Sequence, residues 1–461
     1  MKEKDILEKA LSSADAEYLD ARWEKISHSK VLFSGRDLKE ISQSTMIGGH
    51  IRAVADGGMG CNSWTDMDNL DHAVSIAVLS AKSSGKRKKD KVSLAPVPVV
   101  KDTVKINPEI DPRPISLEEK KDLIKEYLDI VLDVPKIQTA SMYYEEHASE
   151  KLFMTTEGTC INQEQVFCAV YGRITAREDG IIQSSAIHLG ACDNYARLKN
   201  RHSDVEKKLK IALDLLSAKP VESGVYTVIL DPSISGVFTH EAFGHLSEAD
   251  SIANNKSIRN EMRIGRRMGS EILNISDTGR FPGVSGHYIY DDEGVSSGKA
   301  LLIKDGILTG RLHSRVTAAL YDEPVTGNAR AVDFTFTPIV RMSNIFVERG
   351  TSSVEEMIAS IDKGIYLIGH KGGQTIGDMF TFGAQYGYMI EKGQIKNMVR
   401  DLNITGNLFE TLQNIVAIGN DFSMDESGGC GKGSVGPMQM LWSSGHGGPH
   451  LMVKDVVIGG I

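Results

Sequence analysis

The chain has 461 residues, a length that suggests two or three domains, and is 41% hydrophobic and 25% charged, an ordinary globular composition with apolar material for at least one large core. A net charge of −9 with no extended basic stripe argues against direct nucleic-acid binding, and the Lys86–Lys91 run reads as an exposed linker. No apolar window is long enough to span a membrane, the N-terminus lacks a signal-peptide core, and five unpatterned cysteines suit the reducing cytoplasm.

Residues 5–13 predict a helix with Ile6, Leu7, Ala10 and Leu11 on one face. Short alternating strands are expected at Glu17–Trp23, Lys30–Phe33 and Gly49–Val54. A second helix, begun at Asp66 or Asn69, runs through Ala81. Residues 1–85 thus read as an N-terminal unit, and 86–115, rich in Lys, Val and Pro, as an irregular connector. In the central unit, 116–219, Ser116 and Glu119 carry a helix-capping signal. Alternating segments at Gln138–Glu145, Glu150–Thr156, Val166–Ile174 and Ile181–Leu189 predict a small antiparallel sheet, closed by a helix over Val205–Ala218. From residue 220 a strand, VYTVILD, leads through a helix capped by Asp231 into many short strands with Gly-rich turns. The fold class is α+β: N-terminal helix-and-sheet units, then a large β-rich C-terminal domain (220–461) of twisted sheets or a partial barrel, carrying a short metal-binding helix.

Chemistry concentrates in His240-Glu241-Ala242-Phe243-Gly244-His245. The HExxH arrangement of metallopeptidases sets its histidines at i and i+4, on one helix face. Here the spacing is i and i+5, which on a regular helix turns the rings about 140° apart. A one-residue π-bulge restores a common direction, so a non-ideal turn is expected between His240 and His245. Catalytic zinc takes three protein ligands and keeps one open position. Cys430, in the Gly-rich segment Ser427–Gly433, is the best third donor, with Lys432 nearby to favour its thiolate. The other four cysteines read as small core residues. Glu248 and Asp250 are either carboxylates that orient the histidines or a solvated helix end. Glu241 is the general acid–base candidate. For stabilising an oxyanion, His446, His450, His313 and Arg341 stay open, with His446 preferred because it lies near Cys430 in sequence.

An ordered series of segments carries a family resemblance: VILDPSISGVFTHEAFGHLSEAD, YDDEG at 290–294, LIKDGILTGRLHSR, TGNAR at 326–330, RMSN at 341–344, KGGQTIGDMFTF at 371–382, ITGN at 404–407, IGNDF at 418–422 and SGGCGKG at 427–433. Together with DGGMGCNSW near the N-terminus, these resemble the TldD/PmbA family over nearly the whole chain. The resemblance implies a zinc metallopeptidase with His240, His245 and Cys430 as ligands and Glu241 as catalytic carboxylate. Because the HExxxH segment is intact, it implies the TldD-type branch rather than the PmbA (TldE) type, which lacks it. The usual GHGLEGD or GHALEAD wording is altered here by Leu246-Ser247-Glu248, which changes no ligand. It further implies action on short or unfolded peptides within a closed assembly, as a homodimer or as a heterodimer with a PmbA/TldE-type chain. The competing readings are an amidase acting on small molecules and a non-catalytic zinc-containing scaffold or partner-binding, gyrase-modulator-like protein.

Overall fold

A computed structural model describes residues 2–253, 255–376, 378–433 and 435–459. The α+β class is as expected, but the first half of the chain forms one continuous sheet. Its order is Gly58–Trp64, Asp37–Ala55, Tyr18–Ser34, Ile137–Thr155 and Cys160–Glu178. Ile181–Cys192 and the short Lys101–Val104 both pair with Cys160–Glu178. The small separate sheet expected for residues 138–189 is therefore corrected. Its strands join those of the N-terminal unit through the antiparallel pairing of Tyr18–Ser34 with Ile137–Thr155. Residue 101 also begins a strand inside the segment read as irregular.

The strands are longer than the alternation predicts, for a physical reason. Asp37–Ala55 has 19 residues, but only the half from Gly48 onward is buried. Apolar alternation stops where the strand leaves its helical cover, while backbone pairing continues. Helices Lys2–Ser12 and Leu70–Arg87 enclose one core with Leu19, Trp23, Ile51 and Leu152. Helices Leu117–Asp129 and His202–Ser217 enclose another with Met142, Tyr144, Val170 and Ile187. The Ser116 hydroxyl accepts from the Glu119 amide, as its capping signal predicts.

The C-terminal half holds a closed barrel. Lys363–Ile376, Gly224–Leu230, Leu451–Gly459, Leu402–Asn407 and Met379–Glu391 pair in that order, and the last pairs back to the first. Closure removes the exposed edges that an open sheet would present. A six-stranded sheet stands beside it, in which Asn344–Val347 pairs with Ile275–Thr278 on one side and Gly445–Gly448 on the other. Helix Pro232–Phe238, capped by the Asp231 carboxylate on the Ile234 amide, lies against both. Phe238 and Phe243 are buried in the shared core, where a side chain of that size contributes about 1.5–3 kcal/mol. Gly236 is needed for this approach: a Cβ there would meet the Gly447 amide nitrogen at 2.6 Å.

Buried charges fasten the two halves together. Arg52 bonds both Asp20 and Glu293. Lys151 lies 2.8 Å from Asp292, and Arg22 donates to the carbonyls of Asp333 and Phe336. Asp291 and Asp292 also accept the Ala329 and Ala331 amides, at 2.9 and 2.8 Å. The segments YDDEG and TGNAR thus meet at this joint, and the joint holds the large sheet over the barrel face. Among the described residues no helix is long and apolar enough to cross a membrane.

Candidate metal centre

Thr239–Gly244 forms a π-helical turn, in which the His245 amide donates to the His240 carbonyl five residues earlier. The extra residue brings both imidazoles round to one side, as the i, i+5 spacing requires. Gly244 sits where a Cβ would collide with the Met342 sulfur at 2.0 Å, so this turn packs tightly on the neighbouring chain.

Cys430 arrives from the opposite side. Its Gly-rich segment leads into a short hairpin, with Cys430–Lys432 paired to Gln439–Leu441. Gly428 and Gly429 turn the chain into it at φ 61° and 88°, values that favour glycine. The Arg341 guanidinium donates to the Cys430 carbonyl at 2.6 Å and to the Gln439 carbonyl at 3.1 Å. That occupation removes Arg341 from the oxyanion candidates.

The three donors converge. Cys430 Sγ stands 3.1 Å from His240 Nε2 and 3.5 Å from His245 Nε2, and all three ligand atoms lie within 4.8 Å of one another. Thiolate and imidazole ligands on one tetrahedral zinc, at bond lengths of about 2.3 and 2.0–2.1 Å, stand roughly 3.5 Å apart, so the donor set fits that ion. Burial raises the Cys430 thiol pKa, but the two adjacent imidazoles outweigh it and hold the group well below the usual thiol range.

Glu248 is fully buried, and its carboxylate lies 3.1 Å from His245 Nδ1. Burial opposes its ionisation, yet Lys432 and His245 bring its pKa down to about 2. Lys432 is paired at 3.0 Å with Glu248 and 2.6 Å with Asp250, so its charge is committed there rather than to the thiolate. Of the two readings of these carboxylates, a solvated helix end is thus excluded.

The remaining sequence candidates separate clearly. Glu241 and His446 line a cavity of about 730 Å³ together with His240 and Cys430. The His446 ring packs edge-on against His240 at 5.6 Å, and burial pushes its pKa down to about 3, leaving a neutral imidazole. His313 is engaged with Thr317 and Glu323, and His450 with Asp421 and Tyr366, so both serve structural contacts. Cys168 and Cys192 are buried as expected, but Cys61 is exposed, its side chain 3.2 Å from the Thr337 hydroxyl on the outward face of its strand.

Sequence reading missed the opposite wall of the cavity. His28, Glu145 and His147 project from paired strands of the large sheet, with His28 directly opposite His147. Hydrogen bonds from His147 and His28 draw the Glu145 pKa down to about 2, and His147 stacks on Trp442 at 5.3 Å. The available signal was Tyr143, Glu145 and His147 alternating on one strand face. His188 and His370 also line this wall, and nothing local in the sequence marks them.

Comparison with known proteins identifies the family. Residues 223–460 match the PmbA/TldA metallopeptidase C-terminal domain, and residues 110–192 match the central domain of the same family. A metalloprotease of Synechocystis sp. is 38% identical over 97% of this chain and 96% of its own length. A zinc metalloprotease TldD homolog of Saccharolobus solfataricus is 30% identical, covering 96% of this chain and 97% of the relative. The fold is similar to that of TldE from Thermococcus kodakarensis, with a TM-score of 0.75 at 18% identity and full coverage of both chains. A Thermotoga maritima protein described as a candidate modulator of a DNA gyrase superposes with a TM-score of 0.80 at 18% identity, covering 99% of this chain and 100% of that one. With two domain matches across most of its length and full-length relatives at 30% identity or more, the chain belongs to the PmbA/TldD metallopeptidase family.

Proposed function

We propose that this chain is a zinc-dependent peptidase of the TldD type that cleaves short or unfolded peptides. The observation that carries the reading is the convergence of His240, His245 and Cys430 beside Glu241 on one large cavity. His240, His245 and Cys430 would hold the ion, and Glu248 would orient His245 through Nδ1. Zinc bound there supplies Lewis acidity, which brings a water close to ionisation at neutral pH.

The chain's own groups divide the remaining work. Glu241 takes up a proton at its carboxylate and returns it to the leaving amine. His446, held neutral by burial, offers a ring N–H to the oxygen on which charge develops. The stacked His147–Trp442 pair, with Phe167 and Tyr171, gives the cavity an aromatic wall against which a peptide can lie. A cavity roofed by the large sheet admits an extended chain more readily than a folded domain.

A dimer, with a second copy or with a TldE-type chain, and a cytoplasmic setting complete the reading. Ile41 and Ile47, each at least 41% exposed and on one face of the outer half of their strand, offer an apolar surface for the second chain. The five free cysteines suit a reducing compartment.

The test is cleavage of an unstructured peptide and of a stable folded protein side by side, with and without a zinc chelator. Cleavage of the peptide alone, abolished by the chelator and restored by zinc, is expected. Equal cleavage of the folded protein would contradict the substrate class, and chelator-resistant cleavage would contradict the metal.

A further inference from the structure

The cavity wall missed by sequence reading holds a second set of converging donors. His188 comes from the Ile181–Cys192 strand of the large sheet and His370 from the barrel strand Lys363–Ile376. Asp425 follows the short strand Ser423–Met424. One ligand atom from each of these residues lies within 4.8 Å of the others. We propose that His188, His370 and Asp425 form a second divalent-metal site, separate from the Cys430 centre, which takes a zinc-class ion through nitrogen and oxygen donors alone.

Three observations carry this. First, His370 Nε2 is sealed from solvent without a hydrogen-bond partner, and the nearest Asp425 oxygen is 3.6 Å away. That is too long for a hydrogen bond. It matches the spacing of about 3.3–3.6 Å between two ligands that sit about 2.0–2.2 Å from a shared tetrahedral ion. Buried ring nitrogens in folded proteins are normally satisfied, and this one faces a carboxylate and a second imidazole; an ion bound through Nε2 would place the ring proton on Nδ1 and release the long 3.3 Å contact that Nδ1 makes with the Gly372 amide.

Second, Asp425 is held as metal-bound carboxylates are. The Ser427 amide donates to its Oδ1 at 2.6 Å, which fixes the carboxylate plane. Third, the three residues line a small polar cavity of about 170 Å³, with room for a water in an open coordination position. The lysine in that cavity, Lys208, is outnumbered there by the carboxylates Asp231, Asp425 and Glu426.

The two centres share no ligand. The rings of His240, His446, His370 and His188 follow one another at centroid spacings of 5.6, 5.6 and 5.8 Å, so His240 and His188 stand at opposite ends of the run. His446 lies between them, 5% exposed, with neither ring nitrogen hydrogen-bonded. Because His188 belongs to the large sheet and the other two donors to the C-terminal half, an ion here would clamp one wall of the substrate cavity to the barrel.

Cobalt(II) distinguishes the sites, because only the Cys430 centre has a thiolate that can give a sulfur-to-metal charge-transfer band. The full-length apoprotein is titrated with Co2+, and metal content after Zn2+ loading is measured by mass spectrometry. Wild type is expected to take about two equivalents, one with the band and one without. Cys430→Ser is expected to keep one equivalent without the band, and zinc should still raise its Tm. Adding His370→Asn or Asp425→Asn to Cys430→Ser should abolish that equivalent and the rise in Tm, with far-UV circular dichroism showing which double variant is folded. A wild-type chain that saturates at one equivalent, with the band, overturns the second site without any variant. So does a folded double variant that still binds one equivalent. One band-free equivalent in wild type would instead remove the Cys430 centre and leave the second site standing.

Discussion

At the residue scale, the candidate metal centre is flanked by a buried relay of charge. Glu248 touches His245 Nδ1, Lys432 and the Met342 amide, while Asp250 takes the other side of Lys432. A fully buried carboxylate is tolerated because each partner is close and fixed. Glu248→Gln keeps the shape and removes the charge that orients His245. Zinc affinity is expected to fall about ten- to a hundredfold with the fold retained. Competition against a chromophoric chelator measures this, and unchanged affinity would show that Glu248 serves packing alone. The grouping of His240 and His245 on one side of a distorted turn was legible from local spacing. Glu248 was legible only as one of two alternatives, because sequence cannot tell a buried carboxylate from a solvated one three residues past a histidine.

At the element scale, the π turn and the Cys430 hairpin are each fixed by packing against a neighbour. The i, i+5 spacing of the histidines foretold the first. The second was hidden, since a run of glycines reads as a mobile loop until its pairing with Gln439–Leu441 and its anchor on Arg341 are seen. Helix Pro232–Phe238 reaches its place only because Gly236 lets it touch the Gly445–Gly448 strand. Gly236→Ala would place a Cβ 2.8 Å from the His446 ring and 2.6 Å from the Gly447 nitrogen. The expected cost is about 1–3 kcal/mol of stability, as in other overpacked cores. Urea unfolding checks it, and a wild-type midpoint would mean the helix shifts at no cost.

At the scale of the whole molecule, the sequence carried the class and the order of elements but not the way its halves combine. Strand periodicity disappears along the outer half of Asp37–Ala55 because that half leaves its helical cover, so one long sheet looks like two small ones. The joint that sets this sheet over the barrel uses Arg52, Lys151 and Glu293, whose partners lie more than a hundred residues away in sequence. The barrel is equally non-local, since Gly224–Leu230 pairs with both Lys363–Ile376 and Leu451–Gly459. The cavity wall with His28, Glu145, His147, His188 and His370 exists only because that joint forms, which explains why no motif announced it.

The central claim is that one buried His240–His245–Cys430 centre and the adjacent Glu241 carboxylate perform peptide hydrolysis. Its most direct test measures zinc content and cleavage of an unstructured peptide in parallel, for wild type, Glu241→Ala and Cys430→Ala, with a TldE-type partner both absent and present. The account predicts that Glu241→Ala keeps the wild-type zinc content and loses cleavage, and that Cys430→Ala loses one equivalent of zinc together with cleavage. Tight zinc binding by wild type without cleavage under either condition, or full activity in Glu241→Ala, would contradict it.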